Sequence, residues 1–377
     1  MTWADRSDLG MPDSPTADFG VHLVRVDDRA EEIAALSGMW GDRVGLAGVL
    51  AALNRSGRVE RVPARAATWG FRLDEEDDRS RRWWPQGITT SADAHPTGLV
   101  AGRSVVLTSA YSKEINDVHM GARITVSDVS DPSRVRYRHV LLVEVVDSKG
   151  ALELRPVKVH AGGLVWHGRH LHVAGTARGL STFRLDDILE VPPGGSRTRL
   201  SLADDGRAYG GMHGAFGYRY VLPLRFRYAG EHAAAVAPVR YSFISLDRTT
   251  TPHRLMAGEY GRGAASTRIV RFEVDPRSSL LAGDWVDRSW PIGVEIGIAG
   301  MQGVVVVDGR HYVSTSAGAY RRGSLWSGHP GSLKQHPGVL TVGPEDLAYQ
   351  RSSDQLWSLS EYPNHRYVYA MDRATFG

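Results

Sequence analysis

Four polar positions, Gln86, His160, Gln302 and Glu345 (with Asp346 directly behind it), each stand at the start of a short apolar run of strand character. A purely packed strand start would carry small or apolar side chains, so amides, an imidazole and carboxyls in that place point to chemistry. Brought together, one imidazole, one or two carboxyls and two amides could hold a small molecule, polarise a carbonyl and move a proton. The plainer alternative is that they hydrogen-bond neighbouring backbone or a channel water.

Glu259, in Ala257-Gly-Glu-Tyr260, and Glu361, in Leu359-Ser-Glu-Tyr362, each end a second strand and precede a tyrosine, and Lys113 holds a similar place earlier. If those ends share the mouth reached by the strand starts, a lysine and two glutamates join the cluster; otherwise they are surface charges. The expected acid and base are then His160 with Glu345 or Glu259. Gln86, Gln302, Asp346, Glu361, Lys113, Trp83, Tyr111 and His213 are the expected substrate contacts. His213 lies in a glycine-rich turn that lets backbone approach a ligand, and Trp83 and Tyr111 fall near strand ends, where blade packing is their alternative use. His170 and His172 share one strand face, but no third metal ligand can be named. Phosphate-loop, dinucleotide and Gly-x-Ser-x-Gly signatures are missing from the sequence, and neither a metal nor a cofactor is expected.

The elements that must position these residues are written as a loose repeat. Ala161–Trp166, His170–Ala174 and Gly179–Asp186 form one copy, Met301–Val307 with His311–Thr315 another, and Pro344–Tyr349, Gln355–Leu359 and Arg366–Asp372 a third. Recurring three- and four-strand meanders separated by glycine turns predict an all-β fold, a five-bladed β-propeller. Inner strands are expected near 86, 160, 241, 302 and 345, with a sixth blade over Gly206–Tyr228 as the alternative. Residues 1–60 are read as an arm with two short helices, and 61–377 as the propeller. Asp74–Arg82 is read as a solvated loop, and Pro223 as marking an outer strand.

Apolar residues at 42% and charged residues at 23% fit a globular chain. A formal charge of +3 without a basic stripe argues against a nucleic-acid partner. No window suits a membrane span, and the first residues do not resemble a leader, so a cytoplasmic location is expected. With no cysteine, thiol nucleophiles and disulfides are excluded. The oligomeric state is left open.

Trp84-Pro-Gln-Gly-Ile-Thr89, Tyr137–Val143, Val159-His-Ala-Gly-Gly163 and Gly343-Pro-Glu-Asp-Leu347 with Asp354-Gln-Leu-Trp357 resemble phrases of a group of actinobacterial propeller-like proteins of unassigned function, many secreted. The resemblance covers roughly residues 65–373 and implies the fold, not a reaction. Because the polar residue differs at each strand start, a single asymmetric site is expected. That favours a cofactor-independent enzyme acting on a small molecule by acid/base chemistry, such as a cyclase, isomerase, lyase or hydrolase. The alternatives are a propeller that binds carbohydrate or peptide without catalysis, or a five-bladed glycosidase.

Overall fold

The computed structural model describes residues 19–202 and 213–377. Five antiparallel four-stranded meanders make up the body, an all-β propeller. Their inner strands are Trp83–Thr90, Leu164–His167, Phe243–Asp247, Met301–Val307 and Pro344–Gln350. Each inner strand contacts the next, and the fifth contacts the first, so the five close a ring. These runs are apolar because both of their faces are covered, which is why they read as continuous Val, Leu and Ile rather than as alternation.

The ring is closed by a strand from the other end of the chain. Ala67–Arg72 pairs antiparallel with Tyr367–Asp372 as the outer strand of the fifth meander, a role the sequence did not disclose. Elsewhere, Tyr220–His232 is the fourth strand of the second meander and also pairs in parallel with the outer strand of the first, placing Pro223 opposite Val143. Pro223 therefore does not lie on a free edge. Val21–Val26, expected as part of the N-terminal appendage, pairs along the far half of the same strand. Helices Ala30–Trp40 and Gly45–Ala51 bury Ile33, Leu36, Leu46, Val49 and Leu50. Apart from Phe19 and Gly20, the expected extended arm over residues 1–20 lies outside the described residues, as does part of the alternative sixth blade.

Asp74–Arg82 is not a solvated loop. Asp74 caps a short helix, Glu75–Arg79, by accepting the Asp77 amide at 2.9 Å, and Asp77 and Asp78 are buried. Each has cationic or polar partners brought from distant strands: Asp77 meets Arg123 and His139, and Asp78 meets Arg72 and the Arg366 amide. The charge run resembles a surface segment only while those partners are out of view.

Glycine makes the tight ring possible at a few inner-strand positions. A Cβ on Gly163 would lie 2.2 Å from the Ile244 amide nitrogen, and one on Gly303 would lie 2.6 Å from that of Leu347. Both obstacles are backbone of the next inner strand, which cannot swing aside as a side chain can. Gly163→Ala should therefore cost at least the roughly 1–3 kcal/mol of core overpacking. Gly38→Ala, in a helix with no atom within 4 Å of the added carbon, should add up to about 1 kcal/mol. Denaturant midpoints of the two variants moving the same way would contradict this account of ring closure.

Candidate active site

Three inner strands open with a bulge. The pairing register slips between Pro85 and Ile88, between Met301 and Gly303, and between Pro344 and Leu347. The extra residues are Gln86 with Gly87, Gln302, and Glu345 with Asp346. A bulge re-aims a side chain out of the ladder, and here it turns Gln86, Gln302 and Glu345 into one cavity of about 530 Å³. Gly162 and Ser242 line the same cavity, occupying the corresponding places of the second and third strands. The strand-start equivalent of Gln86 is therefore Gly162, not His160.

His160 nevertheless reaches the cavity wall. Ala161, next to it, has a left-handed backbone with φ of 58°, uncommon for a residue with a Cβ, and its carbonyl accepts the Ser109 hydroxyl at 2.6 Å. This kink precedes the inner strand and leaves the imidazole beside Tyr111, ring centroids 4.7 Å apart and planes tilted by 33°. Although the ring is exposed to the cavity, the protein packed around it lowers its pKa, so the neutral form is favoured at neutral pH.

The second strands supply the other wall. Thr176, Tyr260 and Glu361 line the cavity. Glu259 does not. Successive strand side chains face opposite ways, so with Tyr260 turned inward Glu259 turns away. It is fully buried, accepting the Arg268 guanidinium at 2.9 Å and the Arg240 amide at 2.9 Å. Those partners hold its pKa down at about 2, and its role is structural.

Glu345 and Glu361 are the centre of the site. Their carboxyls lie near enough for each to act on the other's ionisation. The Gln302 side-chain amide donates to Glu345 at 3.2 Å, and that of Gln86 donates to Glu361 at 3.1 Å. Burial, then the charge of its partner, pushes Glu345 well above the ordinary carboxyl range. Burial also raises Glu361, but donors from Tyr362 and Gln86 and the charge of Lys113 oppose the rise. The pair consequently loses its protons in two coupled steps, with Glu345 the carboxyl that favours keeping its proton. The glutamines orient these carboxyls, a different task from the carbonyl polarisation expected of them. Tyr111 faces the same pair, and burial with the two glutamate charges raises its phenol to about 12.

The remaining expected site residues have other places. Lys113 lies 3.3 Å from the Trp84 ring centroid and acts on Glu361 through its charge. Asp346 lies buried behind the cavity wall, where Oδ2 accepts the Ile88 amide at 3.2 Å and the Leu164 amide at 3.3 Å, tying three inner strands together. Trp83 faces a different cavity. His213 is also elsewhere, bonded to the Pro192 carbonyl at 2.8 Å and set edge-on to Trp40. Sequence reasoning missed Gly162, Thr176, Arg240 and Ser242. Aligning the strand starts on Gln-Gly, Gly-Gly and Glu-Asp would have found Gly162.

Carbon-13 NMR on glutamate-labelled protein should show one carboxyl titrating well above the ordinary range, and Glu361→Gln should move it down by removing the repelling charge. Folded Glu345 keeps a proton that the unfolded chain has already released. Stability should therefore decline as pH rises from the usual glutamate range through the folded pKa, the reverse of a salt-bridged carboxylate. Glu345→Gln should flatten that decline.

No protein-family model matches the chain, and no curated protein matches it. Solved structures do. A gluconolactonase from Xanthomonas campestris is 11% identical over 85% of this chain and 88% of its own, with a TM-score of 0.34. The GH43_1 enzyme of Xanthomonas citri, complexed with xylotriose, is 12% identical over 81% and 90%, with a TM-score of 0.35. The Cps50 (Swd1) β-propeller domain of Myceliophteria thermophila is 9% identical over 84% and 99%, with a TM-score of 0.37.

Proposed function

We propose that this chain is a cofactor-independent enzyme that moves a proton on a small organic molecule held in the mouth cavity. The observation that carries the reading is the pair of buried, mutually perturbing carboxyls of Glu345 and Glu361 on the wall of a cavity of about 530 Å³. Two carboxyls kept at different protonation states by burial and mutual charge are a ready acid and base. Glu361 would take a proton from carbon or oxygen of the substrate, and Glu345 would return one to the atom where charge develops. His160 on Tyr111, with Tyr260, would hold an unsaturated or ring-bearing body. Cyclisation, isomerisation and elimination all fit this scheme.

Proton transfer is favoured over glycoside cleavage. Glycosidase carboxyls stand about 5–5.5 Å or about 6.5–9.5 Å apart to admit a sugar or a water, whereas these two act on one another's ionisation directly, with a glutamine amide on each. The test is to incubate the protein in deuterium oxide with a panel of small carbonyl and hydroxy-carbonyl compounds and follow C–H exchange by mass spectrometry. Exchange or conversion that disappears in Glu361→Gln supports the reading. Saturable binding of panel members with neither exchange nor conversion would leave a binding protein instead.

A further inference from the structure

A second cavity, of about 510 Å³, shares no lining residue with the mouth. Six arginines line it, at 55, 82, 123, 138, 197 and 219, against two carboxylates, Glu76 and Asp77. Some of the six are already answered. Arg55 pairs with Asp74 at 2.7 Å and Glu76 at 2.9 Å, and Arg219 pairs with Glu190 at 2.8 Å. Arg123 is only 5% exposed and gives one nitrogen to Asp77 and another to the Tyr218 hydroxyl, leaving its buried Nε without a partner.

The others form no ion pair with a carboxylate among the described residues, although the charge of Glu190 acts on Arg138 from a distance. Arg82 spends its nitrogens on the backbone carbonyls of Val118, Ile115 and Lys113, which fix its position without removing its charge. Arg138 lies 5.4 Å over the Tyr220 ring, and its buried Nε also lacks a partner. Arg197 is exposed at the rim. His139 adds no charge at neutral pH, because burial and then the neighbouring Arg123 lower its pKa to about 4. Like charges collected around a concave space are costly unless something anionic enters it.

We propose that this cavity binds a phosphate-bearing small molecule, with Arg138 and Arg197 meeting the phosphate and Arg123 and Arg82 setting the field behind it. Guanidinium forks match tetrahedral oxyanions, and several together suit a dianion better than a single carboxylate. The space exceeds what a bare phosphate fills. Trp83, capped by Arg123 at 4.5 Å and set edge-on to Tyr218 at 6.1 Å, offers an apolar wall for the organic part.

The experiment is titration calorimetry of the full chain with inorganic phosphate, pyrophosphate and succinate, at constant ionic strength held with chloride. Saturable binding of phosphate or pyrophosphate is expected, weakened about tenfold or more in Arg138→Gln and in Arg197→Gln and unchanged in the mouth variant Glu361→Gln. Neither arginine carries a carboxylate partner in the described residues, so both variants should fold, and their circular dichroism should match the parent. Three results would overturn the assignment: no saturable heat with either phosphate probe, binding indifferent to both arginine changes, or succinate binding as tightly as pyrophosphate.

Discussion

Replacing Glu361 by glutamine is expected to cut turnover by about 10²- to 10⁴-fold, the usual range for loss of a positioned base, while substrate binding changes little. Glutamine keeps the size of the side chain and can still accept from Gln86, but it cannot take up a proton. The two ends of the reaction should separate by pH. Under the proposed scheme the active form has Glu361 ionised and Glu345 protonated, so the rate should fall on the acid side as Glu361 gains a proton and on the alkaline side as Glu345 loses its own. Glu345→Gln would be slow at every pH and should lose the alkaline limb. Deuterium-exchange rates across pH for the parent and both variants measure all of this. An unchanged rate in Glu361→Gln would move the chemistry away from the carboxyl pair.

Asp77→Asn should destabilise the fold by roughly 3–5 kcal/mol, the cost of breaking a buried pair and stranding one charge. Asp77 is 3% exposed and accepts from Arg123, His139 and Tyr137 at 2.8 Å each, with Arg55 at 3.5 Å. Asparagine preserves the shape and removes the charge that faces the buried Arg123 guanidinium. Glu75→Gln supplies the contrast on the same short helix: its ion pair with Arg79 joins two side chains that are each 66% exposed, and such pairs are worth about 0–1 kcal/mol. Urea midpoints for the two variants should differ widely. A shift for Asp77→Asn no larger than that for Glu75→Gln would mean the buried charge cluster is not what holds this corner.

Much of the body could be read from the sequence because inner strands covered on both faces advertise themselves as apolar runs between glycine turns. The mouth was legible for the same reason. Gln86, Gln302 and Glu345 stand out because a polar residue opens each of those runs. What could not be read is parity. Glu259-Tyr260 and Glu361-Tyr362 look alike on paper, yet a one-residue difference in register turns Tyr260 and Glu361 inward and Glu259 outward. That register is set by bulges and by contact with the adjoining blade, neither of which has a local signal. The arginine cavity was invisible because its residues are scattered from Arg55 to Arg219 and each is unremarkable alone. Asp77 reads as one more acid in a charged run until Arg123 and His139 are placed against it.

The pairing of Ala67–Arg72 with Tyr367–Asp372 also governs when the molecule can first exist. Translation at about 5–20 residues per second separates the two partners by on the order of 15–60 s. For that interval the nascent chain carries the closing strand with its edge unpaired, and exposed strand edges are templates for aggregation. Individual meanders can form locally as they emerge, but the mouth cannot. Glu345 and Glu361 belong to the last meander made, so the carboxyl pair takes shape only as the ring shuts, and an incomplete chain would hold neither carboxyl in place.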